Sequence, residues 1–466
     1  MTDTTPVTGN DSAPLAERIA AWVTALRYDD LPTEVVERTK LLILDQLGLQ
    51  LRGATLPNIQ PVLELADRQP GKAEATLSHS GARSTVSQVA WVNGTLGHSA
   101  EYDDAHAQAW HTNSAVIPAV LALAEREGTS GRDVITAVVA GIQVMGLLGA
   151  ATPQMVAIGW HGSKVLGVYG AAAAAGKILG LTTAQLTHAF GVAGSDAGGA
   201  MEYDRSGGEV KRLHAGLASR SGTEAAELAQ LGLTGPPTIF EGPRGLLHLF
   251  GGGGDPAALE AAWDQWLVLD TIVRFYPGVA TNHAPLDAVR LLREEHDIKA
   301  ADVERIRVGL VDFAVGHGAG VTRPRDAVSA QFSLAFSTGL QFVTGHNAPA
   351  DYFDPARWTD PEILAVGDRV EPYPMPIPEG DPIFSSQVDI VLRDGTTHGV
   401  YQAGFRGHPS RQATAADVRG KFHENVDGLI APERTDALVA LVGGLETQDG
   451  VRALAELLGV DGRRTG

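Results

Sequence analysis

Apolar residues recur at spacings of three and four from Leu15 to about Leu267, and that periodicity restricts this stretch to amphipathic helices packed on one another. Leu15, Ile19, Trp22 and Val23 form one stripe; Val35, Thr39, Leu42, Ile43 and Leu47 form the next. Thr33, followed by Glu34 and Glu37, reads as the N-cap of the second helix, with acids where the helix dipole favours them. Further helices fit Val86 to His98, Ser114 to Glu127, Gly131 to Leu148, Lys164 to Leu179, Thr183 to Gly191 and Leu213 to Leu231. Ala-rich runs such as Ala171 to Ala175 predict close helix contact rather than ligand binding, because small side chains let backbones approach.

Past residue 268 the texture changes. Ile306, Val308 and Leu310 alternate with polar residues, as do Val388, Ile390 and Leu392, which is the period of a strand. Asp394-Gly395 then separates the second run from Thr396 to Tyr401, the signature of a tight hairpin. Helical periodicity returns in Thr414 to Phe422 and Thr435 to Leu458. The expected class is therefore mainly α: a large discontinuous helical domain over 14–268 and 407–466, with a smaller α+β domain over 269–406 inserted before the C-terminal helices. Residues 1–13 are polar and read as a disordered leader. Gly251 to Gly254 is a poor phosphate loop, since no apolar strand feeds it and no Lys-Ser or Lys-Thr follows; it reads as a connection before the domain change.

At 466 residues the chain exceeds what one core usually serves, and 44% hydrophobic and 20% charged residues are ordinary globular values. A formal charge of -19 disfavours nucleic acid and anionic lipid, but not anionic small molecules, which a local basic pocket holds. The absence of cysteine excludes disulfides, thiolate metal sites and a cysteine nucleophile, and fits a reducing, cytoplasmic setting. No window approaches the roughly 18 apolar residues of a membrane span.

The densest polar run is His98-Ser-Ala-Glu101-Tyr-Asp-Asp104-Ala-His106, followed by Trp110-His111-Thr112-Asn113. Imidazoles flanked by carboxylates supply groups that change protonation near neutral pH. A metal-dependent hydrolase using His98, His106 and His111 is the competing reading, although a spacing of five keeps His106 and His111 off one helical face. A solvated loop between two helices accounts for the run equally well. Three other stretches carry candidates: Gly159-Trp-His161-Gly162, a histidine in a Gly-bounded turn; Lys211-Arg212 at the start of a helix, a reasonable carboxylate seat; and Arg274-Phe-Tyr-Pro-Gly278, with His283 following, at the domain change.

Together these stretches resemble the MmgE/PrpD family, which includes 2-methylcitrate dehydratase, cis-aconitate decarboxylase and iminodisuccinate epimerase. The signatures are Asn93-Gly94 to His98, Glu101-Tyr-Asp-Asp104, His111 before Ala115-Val-Ile-Pro118, Gly159-Trp-His161, Lys211-Arg-Leu-His-Ala-Gly216, Gly232-Leu-Thr-Gly-Pro236, Phe240-Glu-Gly242, Tyr276-Pro277 and Gln331-Phe-Ser333. The resemblance implies a helical domain with an α+β lid, a homodimer, and an active site between the domains that handles a small polycarboxylate with no metal and no organic cofactor. It also implies that Glu101 takes the place of an acid that is usually Asp, that His111 and His161 are active-site histidines, that Lys211 is the active-site lysine, and that Arg274 replaces a second cation, often Lys.

Taking a proton α to a carboxylate makes an enediolate-like anion, which calls for a base and for cations around the developing charge. His111 and His161 would share the acid and base roles, Lys211 and Arg274 would clamp carboxylates, with Arg212 and Asp104 beside them, and Lys211, buried near Arg212, would also donate a proton. Ala105, Val279 and Phe336 stand where cis-aconitate decarboxylases carry a hydroxyl residue, a histidine and a tyrosine. Three lost polar groups argue against the same tricarboxylate. Dehydration of a hydroxy di- or tricarboxylate is the expectation, with epimerisation or decarboxylation as the alternatives.

Overall fold

The computed structural model describes residues 13–317 and 319–463; the expected leader, apart from Ala13, lies outside them. The fold is mainly helical and its contacts divide the chain into two units. The first takes in the chain up to Ser99, Asp103–Thr271 and everything from Ala415; the second holds Ile272–Thr414 together with the short segment Ala100–Tyr102.

In the first unit the periodic stretches form the helices Leu15–Ala25, Thr33–Gly53, Val86–His98, Asn113–Glu127, Gly131–Ala150, Gly167–Ile178, Thr183–Ala193 and Lys211–Gln230. Thr33 is the first helical residue rather than the cap; Pro32, extended and without a backbone donor to leave unsatisfied, precedes it. The helix expected from Lys164 breaks at Leu166 into Gly162–Val165 and Gly167–Ile178. Ala171 to Ala175 are all fully buried, and a side chain on Gly222 would meet the Ala171 methyl at 2.5 Å, so the alanine run is helix-to-helix packing. Gly131–Ala150 is long and apolar enough to cross a membrane, contrary to the window count above, but nearly all of it is buried inside this unit. A helix hydrophobic all round is what a core position demands.

One crossing positions the site. A Cβ on Gly94 would lie 2.8 Å from the Gly216 Cα, and one on Gly216 would lie 2.2 Å from the Trp91 carbonyl oxygen. The Val86–His98 and Lys211–Gln230 helices therefore touch backbone to backbone, which fixes His98 at the end of one and His214 near the start of the other. The tail closes the unit: Lys421, on the Ala415–Val426 helix, places Nζ 2.7 Å from Asp45 Oδ1 on Thr33–Gly53, both side chains buried. Beyond it the expected Thr435 to Leu458 helix is two pieces, Pro432–Gly443 and Arg452–Glu456, because Gly443-Gly444 ends the first. Gly251 to Gly254 form a hydrogen-bonded turn, with Gly253 N donating to the Leu247 carbonyl and positive φ at Gly252, Gly253 and Gly254.

The second unit is built on a four-stranded sheet, in the order Val370–Pro374, Val303–Leu310, Ser386–Leu392, Thr397–Gln402. The first pair is parallel (Ile306 beside Val370) and the others antiparallel (Val308 beside Val388, Val391 beside Thr397). Val303, Ile306, Val308, Val388 and Ile390 share a core with Val289 and Leu292 of the His283–His296 helix. The Asp394-Gly395 turn is present, Gly395 taking φ +89°. Val370–Pro374 carries two prolines and no clean alternation, so its period is silent; an edge is where such a strand is tolerated.

Candidate active site

The polar run after His98 is buried, not a solvated loop. Asp104 explains why it folds inward. Its carboxylate accepts from Thr112 N (2.7 Å), Thr112 Oγ1 (2.8 Å) and Asn113 N (3.0 Å), so it caps the Asn113–Glu127 helix. Asp104 thus spends both oxygens on the helix start, where a substrate-binding role was expected of it. Burial, then Asp103 beside it, push Asp104 up to about 7 against the pull of those donors. Two non-glycine residues with left-handed backbone, Glu101 (φ +53°) and Trp110 (φ +66°), bracket the run, and such strain persists only where surrounding contacts impose it.

Asp103 serves two rings. Its Oδ2 lies 2.7 Å from His98 Nδ1 and accepts from Ser114 Oγ at 2.8 Å, and its Oδ1 lies 3.5 Å from His111 Nδ1. His111 Nδ1 also lies 2.6 Å from the Asp104 carbonyl oxygen. A carbonyl only accepts, so Nδ1 carries the hydrogen and the lone pair of neutral His111 sits on Nε2.

His161 comes from a turn further along the chain, just before the short helix Gly162–Val165. Gly159 (φ +104°) turns the chain, His161 N donates to the Gly199 carbonyl at 2.8 Å, and Gly162 has no room for a side chain, since a Cβ would sit 2.1 Å from the Trp110 ring. The His161 ring lies 5.9 Å from that of His98, 6.0 Å from His111 and 5.1 Å from His214, and the Nδ1 atoms of His161 and His214 are 3.0 Å apart. Burial, with the Lys211 charge next, holds His161 well below the usual imidazole range; burial, with nearby His98, takes His214 down to about 4. Both rings are neutral at pH 7. Lys211 opens its helix as expected and is half-buried. Arg212 is buried, with Nε 3.4 Å from Glu209 Oε2. Lys164, one turn after His161, donates to the Asp196 carbonyl at 2.6 Å and is lowered to about 8, chiefly by burial.

Of the groups expected from sequence, His98, His111 and His161 meet here. One ring nitrogen from each lies within 4.8 Å of the other two, which makes them a possible metal-ligand set. His106 does not join them: its Nε2 lies 3.0 Å from the Leu267 carbonyl, and its Nδ1 accepts from the amides of Gln108 and Ala109. The hydrolase set of His98, His106 and His111 therefore does not assemble, because His106 is spent on holding its own loop. Asp103, Lys164 and His214 were not singled out from sequence; His214 sat in view inside Lys211 to Gly216, but nothing in the spacing separates a buried partner from a helix-face residue.

In the second unit Glu101 and Arg274 find each other, Oε1 to Nη1 at 3.0 Å with both side chains buried, and Arg274 also donates to the Gly278 carbonyl at 3.2 Å. The acid and the clamp expected from sequence thus offset each other's charge. Tyr276 donates to Asp287 at 2.9 Å, and Gln331 donates to the Ala100 carbonyl at 2.7 Å, so these motif residues hold backbone and loops in place. Phe336 is buried against Tyr352.

The MmgE/PrpD N-terminal domain matches residues 17–259 and the MmgE/PrpD C-terminal domain matches residues 276–446. The chain belongs to the MmgE/PrpD family. It is 27% identical over 486 residues to a cis-aconitate decarboxylase-like protein of Aspergillus oryzae, covering 98% of this chain and 99% of that protein. It is 26% identical to the cis-aconitate decarboxylase of Homo sapiens, covering 95% and 94%, and 28% identical to that of Aspergillus terreus, covering 83% and 84%.

Proposed function

We propose that this chain is a lyase that moves a proton next to a carboxylate of a small di- or tricarboxylate, using His111 and His161 with Lys211. The observation that carries the reading is the contrast between the two rings. His161 is buried among other imidazoles and near the Lys211 charge, which disfavours a second proton on it. His111 has the Asp103 carboxylate 3.5 Å from Nδ1, which offsets the charge of a ring protonated at Nε2. Environments that separate two titrating groups in this way assign them opposite roles. His161 accepts a proton; His111 delivers one; Lys211 stabilises the anion formed between the two steps.

Two outcomes use this machinery. In decarboxylation the C–C bond to the departing carboxylate breaks, its electron pair forms the anion, and His111 protonates carbon. In dehydration His161 takes the α proton and the hydroxyl leaves with the His111 proton. The names of the relatives support decarboxylation. The polar groups missing at Ala105, Val279 and Phe336 support an acid other than cis-aconitate, and leave dehydration of a hydroxy acid as the second reading.

The test is to incubate the purified, chelator-treated protein in deuterated water with citrate, methylcitrate, aconitate, malate and iminodisuccinate, following products by NMR. Deuterium on carbon with carbon dioxide release supports decarboxylation, and water loss supports dehydration. Deuterium entering at equal rates with wild type and with His161→Ala would overturn the reading.

A further inference from the structure

We infer that His98, His111 and His161 form a binding site for one divalent transition-metal ion of the zinc class. The ring nitrogens already lie within 4.8 Å of one another, and all three residues are buried. A tetrahedral zinc with bonds of about 2.0–2.1 Å brings its ligand nitrogens to about 3.4 Å, so each ring moves by less than about 1 Å. Imidazole is the ligand chemistry that zinc, copper and nickel share, and this chain has no thiolate to compete with it.

The surrounding hydrogen bonds point the rings the right way. His98 turns Nδ1 to the Asp103 carboxylate, so the free electron pair of the neutral ring is on Nε2, which is fully buried and has no hydrogen-bond partner among the described residues. His111 turns Nδ1 to the Asp104 carbonyl, which likewise puts the lone pair on Nε2. His161 meets His214 through Nδ1; with Nδ1 as the donor its lone pair is on Nε2, where a long 3.5 Å contact to Ser163 Oγ gives way to the ion. A ligating histidine whose other nitrogen is held by a carboxylate or carbonyl is the usual outer arrangement of a metal centre. Asp103 also brings negative charge within a ring's width of the ion.

Occupation has a consequence that rests on the function proposed above. The ion takes the lone pairs of His111 and His161, the same ones that accept and deliver protons there, so a bound metal switches that reaction off. The partner ion is thus an inhibitor rather than a cofactor.

The test titrates cobalt(II) into the chelator-treated full chain and records its visible absorption. The expected result is one ion per chain with intense tetrahedral bands, displaced by zinc, and affinity lowered at least tenfold in His98→Ala and in Asp103→Asn, each checked for folding by its melt. Asp103 touches no metal, so its effect separates a built site from loose surface binding. Weak octahedral bands, several ions per chain, or unchanged binding in both variants would overturn the inference. So would activity that appears only when zinc is added. The spectrum needs no substrate, so loss of the proposed reaction leaves the site standing, and turnover without cobalt binding removes the site alone.

Discussion

The Nδ1 atoms of His161 and His214 face each other at 3.0 Å, so one must donate and the other accept. The donor ring can take a second proton on Nε2 and keep the contact, but both rings cannot be charged together, since two charged rings present only donors to each other.

That couple makes stability pH-dependent with a fixed sign. The folded-state values of both rings are depressed below 6.5, His214 to about 4, so below about pH 6.5 the unfolded chain binds protons that the folded chain refuses. Their contribution is complete above pH 6.5 and is lost as the pH falls toward 4. Melting temperatures taken between pH 7 and pH 4 should fall, and should fall less steeply for His214→Gln. Parallel curves for the two proteins would remove this couple as the cause.

Asp103 orients two rings with one carboxylate. Asp103→Asn keeps the shape, but places an amide where His98 Nδ1–H and Ser114 Oγ need an acceptor and removes the charge beside His111. Proton exchange on the best carboxylate should slow by about 10²- to 10⁴-fold, the usual range for a positioned acid–base group, with KM changed much less. A rise in KM at unchanged kcat would instead make Asp103 a substrate-binding residue.

Gly216 is a test of the helix crossing. Adding a methyl places it 2.2 Å from the Trp91 carbonyl and from Thr95 Oγ1, and backbone on the other side cannot turn away. Gly216→Ala should cost about 1–3 kcal/mol, the range for overpacking, and lower the melting temperature. It should slow proton exchange as well, since the crossing sets His98 against His214. An unchanged melt would mean that the two helices separate without strain.

The helices and the hairpin were legible because each follows from short-range periodicity or turn chemistry: Leu42, Ile43 and Leu47 make one stripe, and Asp394-Gly395 makes one turn. His111 and His161 were legible only as separate candidates joined by a resemblance, because no local pattern reports that residues fifty apart come within 6.0 Å. Asp104, His106 and Glu101 share what local pattern does not show: burial obliges each to find a partner, and the partners are a helix start, a loop carbonyl and a distant guanidinium. Sequence shows which residues have polar atoms; the fold decides which of those atoms are already spent.

Arg274 carries the remaining question of that kind, whether its role is structural or directed at substrate. The pair with Glu101 lies 3.0 Å apart with both side chains almost wholly buried, and removing one member of such a pair strands the other charge out of water. Arg274→Met should therefore destabilise the protein by about 3–5 kcal/mol in chemical denaturation. Adding Glu101→Gln to that variant should recover most of the loss, because the double change removes both charges together. If Arg274→Met instead melts like the wild type and raises KM tenfold or more, the guanidinium belongs to carboxylate recognition and the ion pair is incidental. The two results do not overlap: the structural role moves the denaturation midpoint and is rescued by Glu101→Gln, whereas the recognition role moves KM and is not.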